Sequence, residues 1–323
     1  MKNPTKSDYI AHPTKSDDFA GTPVAGAPVA GTPVMSGRFL GLDIGGSSSR
    51  ARLVENGRVV AEANGPGANV AVLPPQVAES RLRDLLSGMG AISPDACCAG
   101  SAGAEVAAGR ERLEKLLSSM LPGCRVTVVH DARLVLAAAG FGSGIALISG
   151  TGSVAYGRDR DGREARAGGW GWLVGDDGSA AWLAREAARE VMRRSDAGEP
   201  VGRLGDAMLG AASARTSTDL VGYLHGLDEP REWGALAGLV FGVAGEDSGA
   251  SALVERAASA LCDLVSSVRQ RLSLVGPLVL AGGLILNQPL LEDAVRRRVG
   301  DAMRLEEPPV AGAVKLAELS LVT

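Results

Sequence analysis

The sequence predicts an internally duplicated α/β fold with a cleft between its two halves. Two glycine-rich turns about 100 residues apart carry this prediction, at residues 42–48 (LDIGGSS) and 147–153 (LISGTGS). Each turn separates two short apolar segments that read as strands, and each half then alternates strands with helices. Alternation of this kind is typical of α/β folds, and the repeated three-strand opening indicates that the second half duplicates the first.

The first half is predicted to open with a three-strand meander. The dipeptide Asn56-Gly57, between the second and third strands, is a strong hairpin signal because both residues tolerate positive φ. The predicted elements are strands at 39–42, 51–54 and 59–63, a helix at 77–89, a strand at 96–99, a helix at 105–120, a strand at 126–129 and a helix at 132–139.

The same opening recurs in the second half, where Asp161-Gly162 is the second hairpin turn. The predicted elements are strands at 145–149, 154–157 and 164–166, helices at 179–194, 232–244 and 251–274, a strand at 278–281, a helix at 288–299, a strand at 303–305 and a helix at 312–319.

The first 36 residues differ in composition from the rest of the chain. Pro-Thr-Lys-Ser-Asp occurs twice, and Gly-x-Pro-Val recurs every five residues from Gly21. Proline at this density interrupts helices and sheets, and little apolar mass is available to bury, so residues 1–36 are predicted to be a disordered tail. Two domains are expected after it, at 37–136 and 137–323, and the last helix is a candidate for packing back on the first domain.

Composition excludes several classes of protein. The 323 residues are 46% hydrophobic and 22% charged with a net charge of −4, which disfavours nucleic acid as a partner. No apolar stretch reaches membrane-spanning length, and the apolar core of a secretory signal is absent. The four cysteines form no Cys-x-x-Cys pair, which argues against zinc and iron–sulfur sites and fits buried thiols in a reducing cytoplasm.

The two glycine turns are candidate phosphate sites. A turn without Cβ atoms lets backbone N–H groups approach an anion closely, and two such turns bearing hydroxyls suggest that together they grip a polyphosphate. The lysine of a P-loop is absent. The predicted phosphate-binding residues are Gly45, Gly46, Ser47, Ser48, Gly150, Thr151, Gly152 and Ser153.

The order of the motifs resembles the N-acetylglucosamine kinase group and the related BadF-type ATPases, within the acetate and sugar kinase–Hsp70–actin superfamily. The resemblance covers residues 38–323. It rests on residues 43–50 (DIGGSSSR), residues 147–153, an adenosine-type motif at 279–284 (VLAGGL), and residues 168–180 (GGWGWLVGDDGSA), which resemble a segment beside the sugar pocket of amino-sugar kinases. It implies a duplicated ribonuclease H-like (actin-like ATPase) fold with two domains around a cleft, ATP and Mg²⁺ as cofactors, domain closure and a homodimer.

The resemblance also implies roles for individual residues around the phosphates. Asp43 would help to hold Mg²⁺ through water, and Asp131 would be the catalytic base that accepts the proton of the attacking hydroxyl. Gly282 and Gly283 would contribute to the nucleotide site. Each aspartate also has a purely structural interpretation, Asp43 as a turn residue and Asp131 as a helix N-cap. His130 is expected to be structural.

Sugar contacts are implied at two loops and at the Gly-Trp segment. Asparagine offers both donors and acceptors to sugar hydroxyls. Trp170 fits equally a role against the sugar and a role supporting its loop. The implied substrate-binding residues are Asn69, Ser101, Gly103, Glu105, Asp131, Trp170 and Asp176.

The expected function is therefore that of an ATP-dependent kinase, which phosphorylates the 6-hydroxyl of N-acetylglucosamine or a close relative. Ala68-Asn69 and residues 102–105 resemble the glucosamine kinase branch, whereas residues 169–171 resemble the N-acetyl branch. Glucosamine, muramic acid derivatives, a BadF-type ATPase acting on a protein partner and a non-catalytic sugar sensor remain as alternatives.

Overall fold

The computed structural model describes residues 36–104 and 106–322. The prediction of a disordered tail falls, apart from residue 36, outside the described residues, and so does the proposed sugar contact of Glu105. None of the described helices is both long enough and apolar enough to cross a membrane.

The first half contains a five-stranded sheet in the order β3-β2-β1-β4-β5. The first three strands form an antiparallel meander, and the last two run parallel to β1. The strands are β1 (Arg38–Ile44), β2 (Ser48–Glu55), β3 (Arg58–Pro66), β4 (Ala96–Ser101) and β5 (Arg125–His130), and the helices are α1 (Pro75–Ser87), α2 (Ala107–Met120) and α3 (Asp131–Ala138).

The second half repeats this sheet, with the order β10-β9-β6-β7-β8 and the same strand directions. The strands are β6 (Gly144–Ser149), β7 (Ser153–Arg158), β8 (Glu164–Gly168), β9 (Leu278–Ala281) and β10 (Met303–Arg304). The helices are α4 (Ala180–Asp196), α5 (Gly202–Ala211), α6 (Ser217–Leu224), α7 (Pro230–Gly234), α8 (Ala237–Val243), α9 (Ser248–Leu272), α10 (Gly283–Asn287), α11 (Pro289–Val299) and α12 (Pro309–Ser320). The equivalent strand order of the two sheets confirms the predicted duplication.

The insertion between β8 and β9 differs most from the prediction. The helix expected at 232–244 is two helices, α7 and α8, and the helices α5 and α6 were not predicted. The start of α6 carried a local signal, because the Thr216 hydroxyl accepts from the backbone N–H of Asp219 (3.2 Å) while the Asp219 carboxylate accepts from the N–H of Thr216 (3.0 Å). This reciprocal capping box satisfies two donors at the helix start.

The helices α3 and α12 connect the two halves. Leu134 of α3 packs with Phe39 and with Ala313 of α12 against the first sheet, whereas Ala132 and Val135 and their neighbours on α3 pack against the second sheet. Close approach of α12 to β1 requires Gly41, since a Cβ there would lie 2.6 Å from the carbonyl oxygen of Val310. The last helix of the chain therefore lies on the first sheet.

The strand register brings distant residues to one edge of the first sheet. Ile44 of β1 is paired with Ser101 of β4, which is paired in turn with His130 of β5. Because these three strands are parallel, the residues that follow them emerge at the same edge, where ligands bind in open α/β sheets. The first glycine turn and Asp131 both lie there.

Candidate active site

Two adjoining cavities lie between the facing edges of the two sheets. The larger cavity has a volume of about 780 Å³ and the smaller one about 450 Å³. Three residues line both cavities: Ser48, Asp131 and Ile148. Asp131 is thus positioned at the junction between the two spaces.

The larger cavity gathers most of the residues that the sequence singled out. Both glycine turns contribute to its wall, and so do the loops after β3 and β4 and the segment after β8. Its lining includes Gly45, Gly46, Ser47, Ser48, Asn69, Gly103, Asp131, Gly150, Thr151, Gly152, Ser153, Trp170 and Asp176.

The first glycine turn is held in shape by close backbone packing. The backbone N–H of Gly45 donates to the carbonyl of Ser48 (2.9 Å). A Cβ at Gly67 would lie 1.9 Å from the carbonyl oxygen of Gly46, whereas a Cβ at Gly46 would meet nothing within 4 Å. Gly67 therefore supports the turn from behind, a role that the sequence analysis missed, and Gly46 leaves its cavity side open.

The second glycine turn is tied to the segment that begins α4. The Ser149 hydroxyl donates to the carbonyl of Gly178 (2.9 Å), and the Ser153 hydroxyl donates to the carbonyl of Asp177 (2.7 Å). In the other direction, the N–H of Ala180 donates to the carbonyl of Gly150 (2.9 Å). These bonds couple the position of the second glycine turn to that of the neighbouring loop.

Gly282 brings the end of β9 against the same turn. Its φ is +98°, and a Cβ there would lie 2.4 Å from the carbonyl oxygen of Ser149, so only glycine fits. Gly282 and Gly283 line the smaller cavity together with Asp43 and Asp131. The predicted nucleotide-binding residues Gly282 and Gly283 therefore line the smaller cavity with the two aspartates and do not line the larger one.

Asp43 has an altered acidity. Burial is the main cause that raises its pKa, the negative charge of Asp131 raises it further, and the opposed positive charge of Arg50 lowers it, with a net value of about 6. Arg50 is the residue paired with Asp43 across β1 and β2 and also lines the smaller cavity. Arg50 belongs to the first glycine motif, but no role was predicted for it.

The carboxylate of Asp43 is suited to bind a hydrated divalent cation. Within the described ranges, no three His, Cys, Asp or Glu side chains come together as a metal-binding group. Mg²⁺ needs no such cage, because it usually keeps several waters and binds through one or two carboxylates and the phosphates of a substrate. Asp43, which directly precedes the first glycine turn, provides a suitable carboxylate.

Asp131 is the first residue of α3, and the N-cap of this helix is His130, so the N-cap interpretation of Asp131 is wrong. The N–H of Ala132 donates to Asp131 Oδ1 (2.7 Å) and also to His130 Nδ1 (3.1 Å). The His130 ring stacks on that of Tyr156 with centroids 5.2 Å apart, which fixes this segment against β7. Asp131 Oδ2 makes no hydrogen bond to any described residue and can accept one from a ligand.

Asp176 is the second carboxylate in the larger cavity, and its conformation is strained. Its φ is +58°, and its Oδ1 atom is buried without a hydrogen-bond partner in the described part of the chain. Burial raises its pKa, an effect that the backbone N–H groups of Gly171 and Ser153 oppose. Because an unsatisfied buried oxygen costs free energy, a ligand hydroxyl at this point would be stabilising.

The loops after β3 and β4 place their residues at different depths. Asn69 lines the larger cavity, and its Oδ1 accepts from the N–H of Ala71 (2.8 Å), which leaves its NH₂ group to donate. Gly103 packs on it at a φ of +92°. Ser101 is only 1% exposed, donates to the carbonyl of Ala102 (3.0 Å), and is not a lining residue of either cavity.

Trp170 lies at the mouth of the larger cavity and is 68% exposed. The guanidinium of Arg166 stands 4.7 Å from its ring centroid, a favourable cation–π arrangement. Trp172 lies nearby and contacts Trp233 at 6.5 Å between ring centroids. An exposed aromatic side chain is therefore presented at the entrance of this cavity.

Comparisons with known proteins agree with this architecture. A model of the BadF/BadG/BcrA/BcrD ATPase family matches residues 40–315. The chain is 30% identical over 195 residues to the N-acetylmuramic acid/N-acetylglucosamine kinase of Clostridium acetobutylicum, a match that covers 58% of this chain and 63% of that protein, just under two thirds of its length. It is 26% identical over 291 residues to the N-acetyl-D-glucosamine kinase of Dictyostelium discoideum, covering 81% of this chain and 89% of that protein.

A solved structure shares the fold. A candidate N-acetylglucosamine kinase from Chromobacterium violaceum matches 87% of this chain and 99% of its own, with a TM-score of 0.72 and 26% identity. Together with the strand order, this match confirms the predicted duplicated ribonuclease H-like fold.

Proposed function

The chain belongs to the BadF/BadG/BcrA/BcrD ATPase family, and we propose that it is an ATP-dependent amino-sugar kinase. It transfers the γ-phosphoryl group of ATP to the 6-hydroxyl of N-acetylglucosamine or a close relative. The observation that carries this proposal is the position of Asp131, which borders both cavities beside the two glycine turns. A sugar and the phosphates of ATP in the larger cavity and the nucleoside in the smaller one would meet at its carboxylate.

ATP would be held mainly by backbone groups. Gly282 and Gly283 border the smaller cavity, where they would contact the nucleoside, and the turns at 45–48 and 150–153 would donate N–H groups to the phosphates. Preorganised donors of this kind favour the charge that develops during phosphoryl transfer. The hydroxyl hydrogens of Ser149 and Ser153 already bond to the loop before α4, so their part is to position the second turn.

Asp43 would hold Mg²⁺ through water in this proposal. When bound, the ion neutralises charge on the β- and γ-phosphates. The elevated pKa of Asp43 supports this role, because the site concentrates negative charge that a cation relieves. Arg50, across the β1–β2 pair, adds a positive charge on the same side.

Asp131 is proposed as the base. Its Oδ1 accepts from the N–H of Ala132, and this bond fixes the orientation of the carboxylate. Oδ2 would accept the hydrogen bond of the attacking hydroxyl and take its proton as the bond to phosphorus forms. Because phosphoryl-transfer transition states are loose in most analyses, orientation of the hydroxyl is the larger contribution.

The sugar would be recognised by Asn69, Gly103, Asp176 and Trp170. The Asn69 NH₂ group is free to donate, and the buried Asp176 Oδ1 lacks a donor, so both match sugar hydroxyls. Because Ser101 is buried, it would not touch the sugar and would only hold the shape of the loop after β4. The names of the two kinase relatives favour an N-acetylated sugar over glucosamine. An ATPase that acts on a protein partner is the alternative.

We further propose a cytoplasmic homodimer. The family resemblance supports the dimer. The unpaired state of all four cysteines, Cys97, Cys98, Cys124 and Cys262, supports a reducing compartment.

The test is ADP release measured with ATP and Mg²⁺ across a panel of N-acetylglucosamine, glucosamine, N-acetylmuramic acid and no sugar. We expect release to depend on one N-acetylated sugar and a sugar 6-phosphate to form in equal amount. A 6-deoxy analogue should bind without accepting phosphate. Equal ADP release with and without every sugar would overturn the kinase assignment in favour of the partner-directed ATPase.

A further inference from the structure

A third cavity of about 460 Å³ adjoins the proposed active site on the far side of His130. We call it the arginine cavity, because four arginines, Arg110, Arg133, Arg166 and Arg271, contribute to its lining. We infer that this cavity is a second binding site, specific for the phosphate group of a small molecule. Nothing in the proposed kinase reaction uses it.

The charge of the arginine cavity favours an anion. Besides the four guanidinium groups, Glu164 is the single carboxylate among the described residues that line it. Glu164 is partly neutralised by Arg158, whose Nε lies 3.6 Å from its Oε1. Arg110, Arg133 and Arg271 alone outnumber Glu164 among the described lining residues, so the cavity carries an excess of positive charge, although the chain as a whole has a net charge of −4.

Several donors in the cavity lack partners. In the parts of the chain that the structure describes, the guanidinium groups of Arg110 and Arg133 have no ion pair or hydrogen bond. By distance and angle the Tyr156 hydroxyl also has no hydrogen-bond partner there, although Tyr156 is only 2% exposed. Burial raises the pKa of Tyr156, and the neighbouring Glu164 carboxylate raises it further. Buried polar groups are normally satisfied, so an orphaned hydroxyl beside two unpaired arginines indicates a missing ligand.

Phosphate matches this donor set. Arginine donates two parallel N–H bonds to phosphate oxygens, and a phosphate offers enough oxygens to take bonds from two guanidinium groups and a phenol at once. The volume admits a phosphate ion or a small phosphate monoester. The ligand class is therefore defined by the phosphate group, which either a free phosphate ion or a phosphate monoester can supply.

Both halves of the fold contribute to this cavity. Arg110 and Arg133 belong to α2 and α3 of the first half, whereas Tyr156 and Arg271 belong to β7 and α9 of the second half. His130 and Trp170 border this cavity as well as the larger one. A bound phosphate would consequently contact both halves directly beside the proposed sugar site.

The test is titration calorimetry with inorganic phosphate at constant ionic strength, in the presence of a saturating non-hydrolysable ATP analogue. We expect the wild-type chain to bind phosphate, and the Arg110→Gln/Arg133→Gln double variant to bind it at least tenfold more weakly. Arg160→Gln is the matched control, since Arg160 is an exposed arginine in the β7–β8 turn, and should bind like the wild type. Equal binding by the double variant, or no binding by the wild type, would overturn the inference.

Two further variants guard against misfolding of the double variant. Arg110→Gln alone alters an exposed position of α2, and Tyr156→Phe removes only the orphaned hydroxyl. Each should weaken phosphate binding several-fold without a change in melting temperature, and unchanged binding in both would count against the site.

Glycerol 2-phosphate, used as a second probe, distinguishes a phosphate monoester from the free phosphate ion as the ligand. If glycerol 2-phosphate binds and the double variant loses that binding, the natural ligand is a phosphate monoester. If only inorganic phosphate binds in this arginine-dependent way, the ligand is the free ion.

Discussion

The carboxylate of Asp131 helps to raise the pKa of Asp43, although Asp43 lies in β1, Asp131 begins α3, and the two are 88 positions apart in the chain. Both side chains border the smaller cavity, and burial of Asp43 is the larger cause of the shift. Two carboxylates that repel one another cost stability in the empty protein. The proposed binding of a cation beside Asp43 would relieve this repulsion, and it leads to measurable consequences.

Asp131→Asn should lower turnover by orders of magnitude and change the sugar KM only a few-fold. The amide has nearly the same shape and still accepts a hydrogen bond through its oxygen, but it cannot take a proton. Steady-state kinetics with the preferred sugar measures both parameters. A variant that keeps most of the wild-type turnover would remove Asp131 from the role of base.

Asp43→Asn should stabilise the ligand-free protein at pH 8, by about 3 kcal/mol at most if the whole pKa shift is relieved. The folded pKa of Asp43, about 6, lies above the usual aspartate value of 3.8, so ionisation opposes folding. The loss of stability caused by ionised Asp43 is complete above pH 6, and it disappears as the pH falls from 6 towards 3.8. Melting temperatures from pH 8 to pH 4 should therefore converge for variant and wild type. Asp301→Asn, at an exposed position, is the control.

Gly152→Ala should impair sugar binding and stability together. The added Cβ would lie 2.6 Å from Asp176 Oδ2 and would displace that carboxylate from the larger cavity. We expect the sugar KM to rise at least tenfold and the melting temperature to fall. Gly46→Ala is a matched comparison for stability, because its Cβ would meet nothing within 4 Å. Similar melting temperatures for the two variants would contradict this packing argument.

Binding of the sugar should bring the two halves closer. The proposed site takes its phosphate turns from both halves, so it is complete only when they approach, and closure would also exclude water that hydrolyses ATP. Small-angle scattering should give a smaller radius of gyration with N-acetylglucosamine than without it, and a 6-deoxy analogue should produce the same decrease. An unchanged radius with bound sugar would rule out closure.

Removal of residues 1–34, so that the chain begins at Met35, should leave the melting temperature and turnover unchanged. The repeats and prolines of this segment offer few residues for a core. Thermal unfolding and the ADP-release assay of the shortened and full chains are the measurements. A loss of either property would show that the segment packs on the folded region.

Local sequence signals determined the elements and the order of the motifs. The strand–turn–strand pattern around Gly45 and Gly150 depends on neighbouring residues alone, and so does the placement of Asp131 after a buried strand. Those signals were enough to predict the duplicated fold and the residues at the carboxyl edge of the first sheet. The helices α5 and α6 were missed even though the capping box at Thr216 was present.

Tertiary structure decided which of these residues meet and what state they are in. The tether from Ser153 to Asp177, the orphaned oxygen of Asp176 and the burial of Ser101 all depend on chain segments that pack together from a distance. The arginine cavity likewise joins α2 and α3 to β7 and α9. Periodicity and turn chemistry report only on nearby residues, whereas burial, charge coupling and unsatisfied donors arise when sequence-distant side chains share one low-dielectric space.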